Sequence, residues 1–311
     1  MSKVTVVGAG NVGATCANVL AHSDVFNEVV LIDIAGDLAK GKALDIWQQA
    51  PIDGYSTRMT GGSDYALTAG SDIVIITAGV PRKPGMSRDD LISTNAKIVV
   101  SVTKSILQHT KNPIIIVVSN PLDVMTYAAW KASGLSEKRV FGMAGVLDTA
   151  RYRAFLAEEI GCSPKDIAAI LMGGHGDTMV PLPRYTTVSG IPVTELVKKE
   201  KLDAIIERTK FGGGELVNLM GTSAWYAPGA AAAQMAISIQ RDENRIFPCC
   251  IRLKGEYKIK DIFVGTPVKL NKKGIGEVIK LRLKKDELDL LHGSANAVKE
   301  IMDALDGMGV L

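Results

Sequence analysis

Of the 311 residues only 5% are aromatic and four are cysteine, at positions 16, 162, 249 and 250. No C-x-x-C pair exists, and neither these cysteines nor the four histidines fall into metal-ligand spacing, so a disulfide framework and a metal site are both excluded as readings. Charge of one sign is also scarce, with 36 Lys and Arg against 33 Asp and Glu and no long basic block. That argues against nucleic acid as a partner. No apolar run is long enough to cross a bilayer, so no membrane partner is expected. Ser2-Lys3 leads straight into a strand pattern without the regions of a signal peptide, and a cytoplasmic protein is expected. Internal repeats and low-complexity segments are lacking too.

What is present is a chain that is 47% hydrophobic and rich in Ala, Val, Ile and Gly, enough to bury one large core or two adjoining ones. Between residues 3 and 144, short β-branched runs alternate with longer helical patterns, as in repeated βαβ units. Strands are expected at residues 4–7, 28–34, ambiguously near Met59, at 72–77, 114–119 and 139–142. Six strands in this order predict a doubly wound parallel sheet, the Rossmann arrangement. A helix is predicted over residues 89–108, where Leu91, Ile92, Ile98, Val99, Val102 and Ile106 share one face. After Leu147 the rhythm changes to a helix over 148–160, an apolar strand at 167–171, hairpin signals at Ser189-Gly190-Ile191-Pro192 and Asn271-Lys272-Lys273-Gly274, and a helix over 287–305. The expected organisation is α/β, with a dinucleotide-binding domain at 1–145 and an α+β catalytic domain at 146–311.

Gly8-Ala9-Gly10-Asn11-Val12-Gly13 follows a predicted strand and opens a predicted helix. Its glycines permit a tight turn and let backbone N–H groups meet a pyrophosphate at the helix N-terminus. Asp33 stands about 20 residues on, where a carboxylate accepts hydrogen bonds from ribose hydroxyls and repels a ribose phosphate. NAD is therefore the expected cofactor, in preference to NADP. A glycine-rich turn beside a structural Asp is the plainer alternative. Gly212-Gly213-Gly214 lacks the Lys-Ser/Thr of a phosphate loop and reads as a turn or helix end, and Gly274-Ile275-Gly276 as a hairpin.

His175 lies among glycines in Met172-Gly173-Gly174-His175-Gly176-Asp177, which leaves its ring uncrowded, although a lone histidine is as readily structural. In Asp148-Thr149-Ala150-Arg151 a carboxylate and a guanidinium three residues apart share a helix face; as a helix N-terminus, Asp148 reads equally as a cap.

Taken with Thr77-Ala78-Gly79, Val118-Ser119-Asn120-Pro121 and Gly174-His175-Gly176, in order and spacing, these segments resemble the lactate and malate dehydrogenase family over essentially the whole chain. Within that family the chain is similar to the malate dehydrogenases built like lactate dehydrogenases. The resemblance implies that His175 accepts the substrate hydroxyl proton, that Asp148 orients His175, and that Arg151 holds the C1 carboxylate. It further implies that Asn120 bonds the substrate oxygen or the nicotinamide ribose, and that Asn95, Val118 and Ser119 line the cofactor. Residues 79–88, with two prolines and a glycine, form a loop that the resemblance makes a lid. Arg88 would polarise the substrate carbonyl, and Arg82 would pair with a second carboxylate where lactate enzymes carry glutamine. Malate and oxaloacetate are therefore the expected small-molecule pair, with lactate or another 2-hydroxy acid as the alternative. The segment Thr222-Ser223-Ala224-Trp225-Tyr226-Ala227-Pro228 resembles the part that faces nicotinamide and substrate. A homotetramer is expected from the resemblance, with a dimer as alternative, and apolar residues at 16–20 and 44–47 are candidate subunit contacts. A non-catalytic NAD-binding module would need none of this constellation, and a Ser-His-Asp hydrolase would need the absent G-x-S-x-G.

Overall fold

The computed structural model describes residues 2–81 and 87–311. Six short apolar runs form parallel strands β1 (Lys3–Val7), β2 (Glu28–Ile32), β3 (Arg58–Gly62), β4 (Ile73–Ile76), β5 (Ile114–Val117) and β6 (Val140–Met143). Their β-branched side chains are buried on both faces of the sheet, the condition under which strands read as continuous Val/Ile runs. Between them lie α1 (Asn11–His22), α2 (Gly36–Asp53), α3 (Arg88–His109) and α4 (Leu122–Ser133), and α5 (Gly145–Ile160) follows. Spatial order β3-β2-β1-β4-β5-β6 is that of the doubly wound dinucleotide fold, reversing direction between β1 and β4.

The ambiguous segment near Met59 is β3, with Met59 opposite Val29. Its pattern is faint because Gly61 and Gly62 replace apolar side chains. A Cβ on Gly61 would stand 2.3 Å from the Ala39 carbonyl oxygen, so α2 can pack on β3 only with glycine there.

The second half contains strands β7 (Ile167–Ala168), β8 (Leu171–Met172), β9 (Val180–Pro181), β10 (Thr187–Val188) and β11 (Ile191–Pro192), then helices α6 (Val193–Leu196), α7 (Lys199–Met220) and α8 (Tyr226–Gln240). Long strands β12 (Arg245–Lys254), β13 (Lys260–Asn271) and β14 (Gly274–Val278) follow, and α9 (Lys285–Gly307) closes the chain. Two expectations need correction. The strand expected at 167–171 is two strands in different sheets, β7 pairing with β10 and β8 with β9. Gly212-Gly213-Gly214 is neither turn nor helix end but lies inside α7 despite the poor helix propensity of glycine, with Gly212 and Gly213 facing Arg151. Helices α7 and α8 were not expected at all; six of the fifteen residues of α8 are alanine, too small to reveal its period. Gly229 is what lets it meet α1, since a Cβ there would lie 2.8 Å from Thr15 Cβ.

Six strands were expected in the main sheet, and nine are found among the described residues. β12 pairs antiparallel with β6, Cys250 opposite Gly142, and β13 and β14 extend the edge. The larger buried core accordingly runs from Val4 to Leu305, and a smaller one, between Tyr152 and Ile205, lies within the second half. At the junction Phe263 of β13 meets Tyr127 and Trp130 of α4, with ring centroids 5.8 and 5.6 Å away. Phe263→Ala is expected to destabilise the protein by roughly 3–5 kcal/mol, the usual cost of emptying a buried aromatic site, and to lower the denaturant midpoint; an unchanged midpoint would show that this junction does not hold the halves together.

Candidate active site

The glycine loop joins β1 to α1 at the carboxyl edge of the sheet. Gly8 has φ +108°, and a Cβ on Gly13 would stand 1.8 Å from the Gly8 carbonyl oxygen, so strand and helix close on each other only without side chains. At Gly10, by contrast, a Cβ would meet nothing within 4 Å, which leaves open space over the loop. α1 begins without a side-chain cap or an acidic residue in its first turn, so its terminal N–H groups and dipole remain available to an anion. Asp33 directly follows β2. One carboxylate oxygen accepts from the Ala9 N–H (2.6 Å) and the other from the Ala35 N–H (2.9 Å), so the acid expected to meet the ribose also braces the loop. These features fit a dinucleotide.

A cleft of about 360 Å³ runs along this edge, lined by Gly10, Asn11, Val12 and Gly13, by Val118, Ser119 and Asn120 after β5, and by Thr222, Ser223, Ala224 and Trp225 between α7 and α8. Asn95 of α3 also lines it, with its amide engaged on the backbone. Its Oδ1 accepts from the Val80 N–H (2.8 Å), while Nδ2 donates to the carbonyls of Val80 (3.1 Å) and Asn120 (2.7 Å). Ser119 donates its hydroxyl to the Ala78 carbonyl (2.6 Å). The loop after β4 and the loop after β5 are thereby tied together. Arg88 is exposed at the first position of α3, whose start is fixed by a capping box between Ser87 and Asp90. Arg82 lies outside the described residues.

The charged cluster is built from α5 and the loop after β8. α5 starts at Gly145, one turn earlier than expected, so Asp148 is not a cap but sits within the first turn, facing inward. Its Oδ2 lies 2.9 Å from His175 Nδ1, and its Oδ1 lies 3.6 Å from Arg151 Nη1. The Asp148 side chain is 3% exposed, whereas His175 keeps 20%, so the carboxylate is sealed from water while the ring is still reachable. Burial disfavours the imidazolium, but the charge and hydrogen bond of Asp148, helped by Asp123, outweigh it and hold His175 above the ordinary histidine range. Arg151 is pulled below its usual range by burial, against the pull of Asp148. Its Nε is buried with no hydrogen-bond partner among the described residues, an unsatisfied donor beside the Asp148 carboxylate. Gly212 leaves the room for this guanidinium, because a Cβ there would come within 3.3 Å of Arg151 Cδ.

Two residues here went unread in the sequence. Asp123, in the first turn of α4, accepts the backbone N–H of His175 (2.9 Å), and Ser294 of α9 accepts that of Gly174 (2.7 Å). An acid in a first helical turn is too common for Asp123 to stand out, and Ser294 is 120 residues from its partner. Because Asn120 in the cleft is three residues from Asp123, one turn of chain links the cleft to the His175 loop.

The chain is similar to known dehydrogenases along almost its whole length. The profile described as lactate/malate dehydrogenase, NAD binding domain, matches residues 2–142, and that for the alpha/beta C-terminal domain of the same enzymes matches residues 145–306. The chain belongs to the lactate/malate dehydrogenase family, and its cofactor is NAD. A malate dehydrogenase of Cytophaga hutchinsonii is 66% identical over 307 residues, 98% of each chain. The solved malate dehydrogenase of Salinibacter ruber is 54% identical and superposes with a TM-score of 0.95 over 98% of both chains. A lactate dehydrogenase of Cryptosporidium parvum, solved with lactic acid and nicotinamide adenine dinucleotide, is 37% identical at TM-score 0.94, again over 98% of each. Fold alone therefore does not separate the two substrates.

Gly13→Ala is expected to weaken NADH binding by more than about tenfold, ~1.4 kcal/mol, because the loop must move off the helix; NADH fluorescence titration of a folded variant measures it, and unchanged affinity would mean that the cofactor lies elsewhere.

Proposed function

We propose that the protein catalyses the reversible oxidation of (S)-malate to oxaloacetate by NAD+. The observation that carries this reading is the His175–Asp148–Arg151 cluster, a reachable base, a sealed carboxylate bonded to it and a guanidinium with an unpartnered donor, beside a cleft suited to NAD. NAD supplies the hydride acceptor. His175 takes the hydroxyl proton as hydride leaves C2 and returns it in reduction. Asp148 fixes the ring so that its other nitrogen faces the substrate and stabilises the imidazolium once formed. Arg151 clamps the C1 carboxylate by two parallel hydrogen bonds, which lysine cannot reproduce. Asn120 supplies a further hydrogen bond to the substrate oxygen or the ribose, and Arg88 polarises the carbonyl when oxaloacetate is reduced.

Choice of malate over lactate is assigned to Arg82. A second carboxylate pairs with this arginine, whereas a methyl group leaves it without a partner when water is excluded. The 66% identity to a malate dehydrogenase favours the same substrate. In this reading residues 1–145 form the NAD-binding unit and residues 146–311 the catalytic one. The enzyme works in the cytoplasm, at the malate step of the tricarboxylic acid cycle, as a homotetramer with a dimer as the alternative assembly. Leu44 and Trp47 are exposed on α2 and support self-association. Cys16 and Leu20, the other expected contacts, are buried inside the chain and do not. No described helix is long and apolar enough to cross a membrane.

Steady-state kinetics with oxaloacetate and with pyruvate, for the native enzyme and Arg82→Gln, test the selection. A native preference for oxaloacetate that falls by at least about tenfold, ~1.4 kcal/mol, is expected; an unmoved preference removes Arg82 as selector, and no activity on either acid removes the proposed reaction. Oxidation also needs neutral His175, whose affinity for protons is raised by its neighbours. kcat/KM for malate should therefore fall as pH drops through a midpoint above about 6.5, the ordinary histidine value, and a profile flat from pH ~5 to ~8 would deny His175 this role.

A further inference from the structure

Asp123 is buried, and nothing in the reaction as derived above uses it. It projects from α4 beneath the His175 loop. Oδ2 accepts the His175 backbone N–H at 2.9 Å and stands 3.3 Å from where a Cβ on Gly174 would be, so the loop presses closely on the carboxylate. Oδ1 has no hydrogen-bond partner among the described residues. A neutral acceptor would serve to hold one backbone N–H. Keeping a carboxylate there buries a charge, eased by the His175 N–H and the Cys250 thiol, a cost that a purely structural contact does not require.

We propose that Asp123 is a positioning residue of the proton-transfer machinery, a second carboxylate that fixes the His175 backbone and supports the imidazolium without bonding to the ring. The charged groups that act on His175 are Asp148 and Arg151 from α5 and Asp123 from α4; Asp123 itself faces His175, the Cys250 thiol of β12 and Asp148. Asp148 touches the ring and sets its tautomer. Asp123 holds the main chain and adds negative charge without touching the ring. Burial raises the proton affinity of Asp123, and the His175 N–H and the Cys250 thiol oppose that rise. Both carboxylates favour protonated His175, against burial and the charge of Arg151.

The proposal rests on His175 as proton acceptor, but its test does not. Asp123→Asn keeps an acceptor for the His175 N–H and removes the charge. With 13C-labelled histidine, four ring signals are expected, and the His175 signal is the one lost in His175→Asn. Its titration midpoint should fall by about one pH unit or more in Asp123→Asn, and the acid limb of kcat/KM for malate oxidation should move by the same amount, with NADH affinity retained. A folded Asp123→Asn enzyme with an unmoved midpoint, even one with low kcat, would overturn the proposal and leave Asp123 a packing residue. If that variant does not fold, Asp123→Ser, which keeps a hydroxyl acceptor near the His175 N–H and also removes the charge, is read by the same midpoint; a fall of similar size is expected, and no movement there also overturns the proposal. Persistent malate oxidation by His175→Asn would instead refute the base itself, whatever the titration shows.

Discussion

A carboxylate sealed from water between an imidazole and a guanidinium is the constraint around which the site is organised. Asp148 is tolerable in its buried place because both neighbours are cationic or can become so. Each partner in turn depends on it, since His175 would otherwise lose protons to burial and Arg151 would stand in a dry pocket without an opposite charge. Bringing the three together takes α5 entering the core one turn before Asp148, the loop after β8 turning back at Gly173 and Gly176, and α7 lying bare at Gly212.

The dinucleotide half is organised by close approach rather than by charge. Gly8, Gly13 and Gly61 each mark a place where backbone meets backbone or hydroxyl at distances no side chain would permit. Asp33 and Asn95 then fix the resulting loops by hydrogen bonds to main-chain groups, so residues expected to face the cofactor also hold the surface that meets it. That dual engagement gives a cradle with little freedom left to lose on binding.

Much of this was legible in the chain. Strands β1, β2, β4, β5 and β6 announce themselves by β-branched runs, and the glycine loop with Asp33 is a local signal with a mechanism. β3 was faint because glycines serve α2 there; α7 was masked by its three glycines despite the periodic Leu202, Ile205 and Thr209, and in α8 Gly229 makes room for Thr15 and Cys16, residues far away in sequence. His175, Asp148 and Arg151 could be named, but only the structure brings them within bonding distance. Asp123 and Ser294 act through backbone N–H groups of a loop far along the chain, and no residue pattern records such a contact. Cys16 and Leu20 misled in the opposite sense, since an apolar helix face says only that something covers it, and here α8 and the sheet do so.

The antiparallel pairing of β12 with β6 carries a mechanical consequence. Two lobes joined by a flexible linker can open and shut like jaws, admitting a ligand between them. Here a hydrogen-bonded ladder and one continuous core cross the seam, so prying the lobes apart would cost strand pairing and buried surface together. Whatever binds in the cleft therefore meets walls drawn from both halves of the chain, and the same ladder that joins the halves keeps those walls at a fixed spacing.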